Sequence, residues 1–383
     1  MQTNGRPALP GGLLISQRTM ESNRTIRAID LTTEFDEFEE LSVLSFGAGA
    51  NPNQSMYRWL FDDNPYDPPG GNMMFVMRDR DAGGKMIASD GLIPFDLKLG
   101  DRVVKAAHSV KSMTHPDYKR QGIFRTMTEN SLRQGARQGV QVVLGFANKN
   151  SYPAYQKFGW TTLYPRSVYV FPSDISRKIE AKTHSRVLGK MGNLCFRIAT
   201  DLKRSGLHAL KNYRVQTFGR VPPEAGELWD RYQDKFENLI VRDMTYLRWR
   251  YDGRPDRSYQ TILLSDSEGP AGYLILRQSV ANGKPMVCVT ENFTDPDNAE
   301  AISALAEAVI AYCRKNESAY AVVCSAGYGK YDEVFRRYGF VPQKGQGTIV
   351  IAKSLDPSVS EKDLIGAEHW HMSQGDGESE LDL

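Results

Sequence analysis

The chain has 383 residues, 40% of them hydrophobic and 25% charged, the balance of a globular chain too long for one ordinary core. Its net charge of +2 gives no bulk attraction to nucleic acid, so any electrostatic function must come from local clusters. Cys195, Cys288, Cys313 and Cys324 are scattered without CxxC spacing, which argues against a zinc site or a disulfide frame and fits buried, reduced thiols of a cytoplasmic protein.

Residues 1–23 read as a flexible leader whose longest apolar run is three residues, the pattern of neither a signal peptide nor a membrane anchor. No stretch approaches the ~18 apolar residues needed to span a bilayer, so a cytoplasmic location is expected. "RTIRAID" then reads as a strand, "TTEFDEFEELSVLSFG" as a helix with acids in its first turns, and "MYRWLFDD" as a short helix closed by "NPYDPPGGN". "MMFVMRD", "MIASDGLIPFDLKL" and "VVKAAHSVKSMT" read as three strands, with Gly83-Gly84 and Gly100-Asp101 in the turns. A helix from about Gln121 to Gln138, the apolar strand "VQVVLGFA" and the short helix "SYPAYQKFG" follow, with strand-like sequence to about Phe171. A meander feeding a strand–helix–strand crossover predicts an α/β (α+β) domain over 24–172, a mixed, mostly antiparallel sheet with helices on both faces.

Over residues 173–213 the composition turns basic, with Leu, Met, Ile and Phe interleaved, which predicts an amphipathic helical connector. It serves either as a solvated linker packed on one domain or as a face for a membrane surface or anionic partner. Residues 214–355 repeat the element order of the first half. Residues 356–383 read as a polar tail, mobile unless something captures it.

Sliding the chain along itself by 180 residues lays "YQKFGW" (Tyr155–Trp160) on "FRRYGF" (Phe335–Phe340) and "THPD" (Thr114–Asp117) on "TDPD" (Thr294–Asp297). Two anchors at one offset, each bordering a helix, predict two copies of one fold in tandem. Lys119, Arg120, Gln121 and Gly122 fall on Ala299, Glu300, Ala301 and Ile302, and Tyr155 falls on Phe335. A basic pair and a glycine before a helix make a seat for an anion, because the first amides of a helix lack intrahelical partners. The second copy has lost that seat, so the first half is expected to carry the chemistry.

"HPDYKRQGIF" before a helix and a strand, then "NKNSYPAYQKFGW", resembles the GNAT (Gcn5-related N-acetyltransferase) superfamily. The family pattern is Arg/Gln-x-x-Gly-x-Gly/Ala, then Asn a little before Tyr-x-x-x-Gly-Phe. Lys119 stands where Arg or Gln is usual, and Phe124 where a small residue is usual. The resemblance implies that amides of Gln121, Gly122, Ile123 and Phe124 hold the pyrophosphate of acetyl-CoA, with charge from Lys119 and Arg120. It implies main-chain groups of Met113 and Thr114 along the pantetheine and thioester, Asn148 on the cofactor arm, and Tyr155 as acid for the leaving thiolate.

For the general base the sequence leaves three readings open: His108 on the strand leading into the loop, Asp90 on its neighbour, or a water chain. The tail, with His369 and His371, is a further candidate to enter the site; no metal is expected there, since no cysteine or third histidine is near. "VRDMTYLRWRYDGRPDRSY" (Val241–Tyr259) reads either as a polar or sugar-like substrate surface or as a surface helix with Tyr246 and Trp249 in the core. The resemblance implies N-acetyl transfer from acetyl-CoA to a primary amine of a small molecule through a ternary complex. An amino sugar of a surface polysaccharide or an aminoglycoside is the expected acceptor, with no nucleic acid as partner. The alternatives are a non-catalytic acyl-CoA-binding module and a FemX-type aminoacyl transferase.

Overall fold

The computed structural model describes residues 23–47, 53–68, 71–281, 283–325, 328–343 and 348–377. The leader lies outside them apart from Asn23, as do residues 378–383. The first half contains β1 (Arg24–Ala28), α1 (Phe35–Phe46), α2 (Gln54–Phe61), β2 (Met74–Asp79), β3 (Lys85–Leu99) and β4 (Arg102–Thr114). These are followed by α3 (Ile123–Arg137), β5 (Val142–Ala147), α4 (Tyr152–Lys157), β6 (Thr161–Pro165) and β7 (Ser167–Pro172). The connector folds as α5 (Ser176–Thr183) and α6 (Arg186–Lys203).

The second half contains β8 (Arg214–Phe218), α7 (Glu224–Tyr232), β9 (Asn238–Ile240), α8 (Met244–Leu247), β10 (Gln260–Asp266), β11 (Gly269–Ala281) and β12 (Lys284–Thr294). It ends with α9 (Ala299–Lys315), β13 (Tyr320–Ser325), α10 (Tyr331–Arg337), β14 (Val341–Pro342) and β15 (Ile349–Ser354).

These strands build two sheets, in the orders β1-β2-β3-β4-β5-β15-β6 and β8-β10-β11-β12-β13-β7-β14, with β9 added to β3 of the first. Position by position the orders correspond, and each sheet has one parallel pair at the same place, β4–β5 and β12–β13. The fold is therefore two mixed, mostly antiparallel sheets with helices, and the repeat read from the 180-residue offset is its organising feature.

The halves exchange a strand. β7, from the first half of the chain, pairs with β13 and β14, while β15, from the second, inserts between β5 and β6. A cut of the sequence at 172 and 214 therefore does not coincide with a cut between the sheets. A single apolar cluster runs from Phe95 and Leu97 of β3 through Tyr273 and Val289 of the second sheet to Trp370 of the tail. Trp59 of α2 and Trp249 stack across the halves at 5.0 Å, and each indole N–H donates to the other's carbonyl, at 2.9 and 3.2 Å.

The tail is captured rather than mobile as far as Gly377. Trp370 is 0% exposed and donates from Nε1 to the Leu364 carbonyl at 2.8 Å. Asp376 forms a two-pronged pair with Arg242, both oxygens 2.7 Å from Nη2, and neither side chain reaches solvent. Replacing Trp370 by alanine should destabilise the protein by about 3–5 kcal/mol, as for other large core deletions. Denaturant titration checks this, and a loss below about 1 kcal/mol would mean that the tail adds nothing to the shared core.

Candidate active site

The strand pair β4–β5 opens like a V. Its parallel ladder runs from Ala106–Val142 to Ser109–Gly145 and stops, although β4 continues to Thr114. On its other side β5 keeps its pairing with β15 as far as Ala147–Ile349. Main-chain groups beyond Ser109 thus face a gap in the middle of a sheet, where each unpaired donor or acceptor needs a partner. The widening coincides with a bulge: β3 and β4 pair at Gly91–Val110 and next at Ser89–Met113, and Lys111 takes a left-handed φ of 54°. Met113 and Thr114 lie in the diverging segment.

The loop at the mouth of the V is shaped by two left-handed residues, Arg120 (φ 63°) and Gly122 (φ 76°). Such alternation turns successive amides toward one side, the concave arrangement that binds anions. Gly122 is the N-cap of α3, with no side chain capping the helix and no acid in its first turn. Lys119 to Gly122 are exposed, while Ile123 is buried as the helix's anchor in the core. His115, buried, accepts from the Asp117 amide at 3.3 Å and lies 3.0 Å from the Lys85 ammonium, which fixes the turn before the loop. The Gln121 side chain accepts from Arg24 at 2.6 Å and is drawn back toward β1.

Tyr155 of α4 is buried beside the V, edge-on to Phe124 at 5.5 Å and Trp160 at 4.9 Å. Its hydroxyl lies 3.2 Å from Ser109 Oγ and 3.1 Å from Ser112 Oγ, and Ser112 donates to Asp90 Oδ1. Burial and the Asp90 charge push the phenol up to about 12, which keeps it protonated at neutral pH. Burial raises Asp90 to about 6, partly offset by hydroxyls of Ser112 and Ser131. The result is a continuous path Tyr155–Ser112–Asp90. Asn148 is engaged in the turn before α4 instead of standing free: its Oδ1 accepts from the amides of Asn150 and Ser151 at 2.9 and 3.1 Å.

Residues 25–163 match the family described as the acetyltransferase (GNAT) domain. They form a GNAT domain. The chain is an acyltransferase by this domain. Among solved structures it resembles a GCN5-related N-acetyltransferase from Anabaena variabilis, at 11% identity and TM-score 0.61, over 87% of this chain and 73% of that one. It resembles a probable N-acyltransferase from Enterococcus faecalis at 14% identity and TM-score 0.59, over 88% and 73% of the two chains. Saccharomyces cerevisiae N-myristoyltransferase with bound myristoyl-CoA aligns at 12% identity and TM-score 0.59, over 92% and 85%. At these identities the likeness is one of fold. No curated protein matches the sequence.

The second sheet has the same V, closed by the protein's own groups. The α9 amides at Glu300 and Ala301 are capped by Asn298 Oδ1 at 3.1 and 3.0 Å, where α3 of the GNAT domain has no cap. Tyr331 bonds both main-chain groups of Thr294 at 3.0 Å, and His371 Nε2 lies 2.9 Å from the Asn292 carbonyl.

His108 lies on the opposite face of β4 from Ser109, as neighbours on a strand must. It packs between Phe95 and Phe146, at 4.4 and 5.0 Å, and lines a cavity between the sheets with Tyr246, Trp249, Arg250 and Gly375–Gly377. The cavity holds about 20 Å³, room for one water-sized group. Neither ring nitrogen of His108 has a hydrogen-bond partner among the described residues. Burial lowers its pKa to about 3; the Asp376 charge opposes this, and Arg250 and Arg166 reinforce it. His108 is therefore neutral and weakly basic, a hydrogen-bonding group more than a proton sink. In the segment Val241–Tyr259, Tyr246 lies in the core and Trp249 and Arg250 line the cavity. Ser109 and Ser112 escape a reading of motifs; their only signal is a pair of hydroxyls three residues apart on β4.

Because the folded state raises the pKa of Asp90, the protonated form is the one it favours. That stability is fully present below about pH 4 and is lost as pH rises through about 6. Relative to wild type, Asp90→Asn should therefore gain about 3 kcal/mol between pH 4 and pH 7, two pKa units' worth. Parallel denaturant titrations measure it, and a difference that stays flat with pH would show that Asp90 is not buried as described.

Proposed function

We propose that the protein is an N-acetyltransferase that moves an acetyl group from acetyl-CoA directly to the primary amine of a small molecule, in a ternary complex, in the cytoplasm where acetyl-CoA is held. The observation that carries this reading is the V between β4 and β5 with an uncapped helix N-terminus and a basic pair at its mouth. Amides of Gln121, Gly122, Ile123 and Phe124 would take the pyrophosphate, with Lys119 and Arg120 adding charge. Main-chain groups around Met113 and Thr114 would align the pantetheine and polarise the thioester carbonyl, an electrostatic effect worth a few kcal/mol in such sites. Tyr155, Trp160 and Ile351 occupy the interior beyond the V, which favours a short acyl group.

The two faces of β4 divide the labour. Tyr155, on the α3 side, donates a proton to the departing thiolate, and the proton that the amine loses on attack leaves through water and returns to the phenolate by way of Asp90 and Ser112. The amine enters from the His108 side, where the cavity admits an amino group and leaves the rest of the acceptor outside. Burial disfavours a cation there, with Arg250 and Arg166 reinforcing it and the Asp376 charge opposing it, and the net effect favours the neutral form of the nucleophile. Aromatic and charged groups lining that cavity, Tyr246, Trp249 and Arg250, suit an amino sugar or an aminoglycoside-like polyamine.

Calorimetric titration should give micromolar binding of acetyl-CoA to the wild type and none to Gly122→Asp. The new side chain meets open space but strains the left-handed backbone at φ 76°, so its negative charge and distortion of the loop would both act against binding. Absence of binding by the wild type would end the proposal. Tyr155→Phe should keep that affinity and lower kcat by about 10²–10⁴-fold in a thiol-release assay with an amine panel. Unchanged kcat would remove Tyr155 from the mechanism and leave the cofactor seat intact.

A further inference from the structure

Helix α6 turns its apolar side outward. Val187, Leu188, Met191, Leu194, Ile198 and Leu202 are each 50–68% exposed. At 3.6 residues per turn they form one stripe about 120° wide along the helix. The opposite side is committed to α5: a Cβ added at Gly189 would lie 2.9 Å from the Ser176 carbonyl, and one at Gly192 2.4 Å from Ile179 Cδ1. Asn193 completes that contact by accepting from the Ile175 amide at 2.9 Å. Cys195, expected to be buried, is exposed beside the stripe.

Charge identifies what the stripe meets. Arg186, Lys190 and Arg197 run along one border of it. Over residues 173–213 nine basic side chains stand against Asp174, Glu180 and Asp201, so this segment carries +6 in a chain whose net charge is +2. Asp201 is occupied by Arg204 and Arg314, at 2.7 Å each, which ties the end of α6 to α9. Glu307 of α9 accepts from the amides of Ala209 and Leu210 at 3.0 Å and anchors the exit of the connector. The helix is thus presented from a fixed base. No helix among the described residues is long and apolar enough to cross a membrane, so α6 can only lie on one. A second copy of this face would bring +6 against +6, which disfavours self-association.

We propose that α6 is a membrane-surface anchor, its apolar stripe entering the headgroup region of an anionic bilayer and its basic border meeting the lipid phosphates. This is independent of the reaction assigned to the GNAT domain. The test is co-sedimentation of the full chain with vesicles of phosphatidylcholine alone and of phosphatidylcholine with about 30% phosphatidylglycerol. The protein should partition onto the anionic vesicles, weakly or not at all onto the neutral ones, and release as salt is raised. Leu194→Glu/Ile198→Glu should cut binding by about tenfold or more, and Lys190→Glu/Arg197→Glu should abolish the preference for anionic lipid. These positions lie on an exposed face, and circular dichroism with acetyl-CoA titration checks that each variant is folded. Absence of binding to anionic vesicles, or equal binding by the apolar double variant, overturns the proposal. A concentration-dependent dimer in light scattering that Leu194→Glu/Ile198→Glu dissolves would assign the face to a second copy instead.

Discussion

Everything at the site follows from an interrupted ladder. In the middle of an eight-stranded sheet, β4 and β5 stop pairing after Ser109–Gly145, while their outer edges stay bonded to β3 and β15. Unpaired main-chain groups inside a protein cost far more than the bond they forgo, so such a gap persists only where another partner is supplied. The bulge at Lys111 bends β4 away, and β15, borrowed from the far half of the chain, holds β5 from its other side. An extended ligand with amide groups of its own is the natural partner for a half-open ladder, and the pantetheine arm has that chemistry.

The second sheet meets the same demand internally. Asn298 caps the helix that in the first half is left uncapped, Tyr331 satisfies Thr294, and the tail delivers His371 to Asn292. One topology has been finished in two ways, open for a ligand in one half and sealed by side chains and tail in the other. Matched by helix N-caps, Gly122 corresponds to Asn298, so the loop 119–122 answers to 295–298 rather than to 299–302, which lie inside α9. A basic loop in one half against an acidic one in the other is the sequence trace of that difference, and the cap and the tail are its structural completion.

Much of this is legible in the sequence because it is local. The helices, the meander, the basic glycine loop before α3 and the 180-residue repeat all follow from periodicity, turn residues and short motifs. The strand exchange is not legible, because "SVYVFP" and "IVIAKS" are equally apolar and nothing within either run says which sheet it joins. Strand pairing is a long-range choice, settled by which edge is open when the strand arrives. The tail is hidden for a related reason: "HWHMSQGD" is polar, and its burial depends on Arg242, more than a hundred residues away, offering the partner that Asp376 needs. The Tyr155–Ser112–Asp90 path likewise exists only once the bulge has turned Ser112 toward the tyrosine.

Arg242 joins these features into one arrangement. It holds Asp376 at 2.7 Å and lies 3.3 Å from Glu291, all three fully buried, so one cation faces two acids. Burial works against both carboxylates, but Arg242 holds Asp376 below the ordinary value, while Glu291, with burial dominant, rises to about 7. The cluster is therefore close to neutral while Glu291 keeps its proton, which a dry interior requires. The same pair seats Gly375–Gly377 against the cavity that His108 faces. The segment that closes the second cleft is thus also a wall of the opening proposed for the acceptor in the first. A substitution at Arg242 or Asp376 would therefore disturb both the closure of the second cleft and the wall of that cavity.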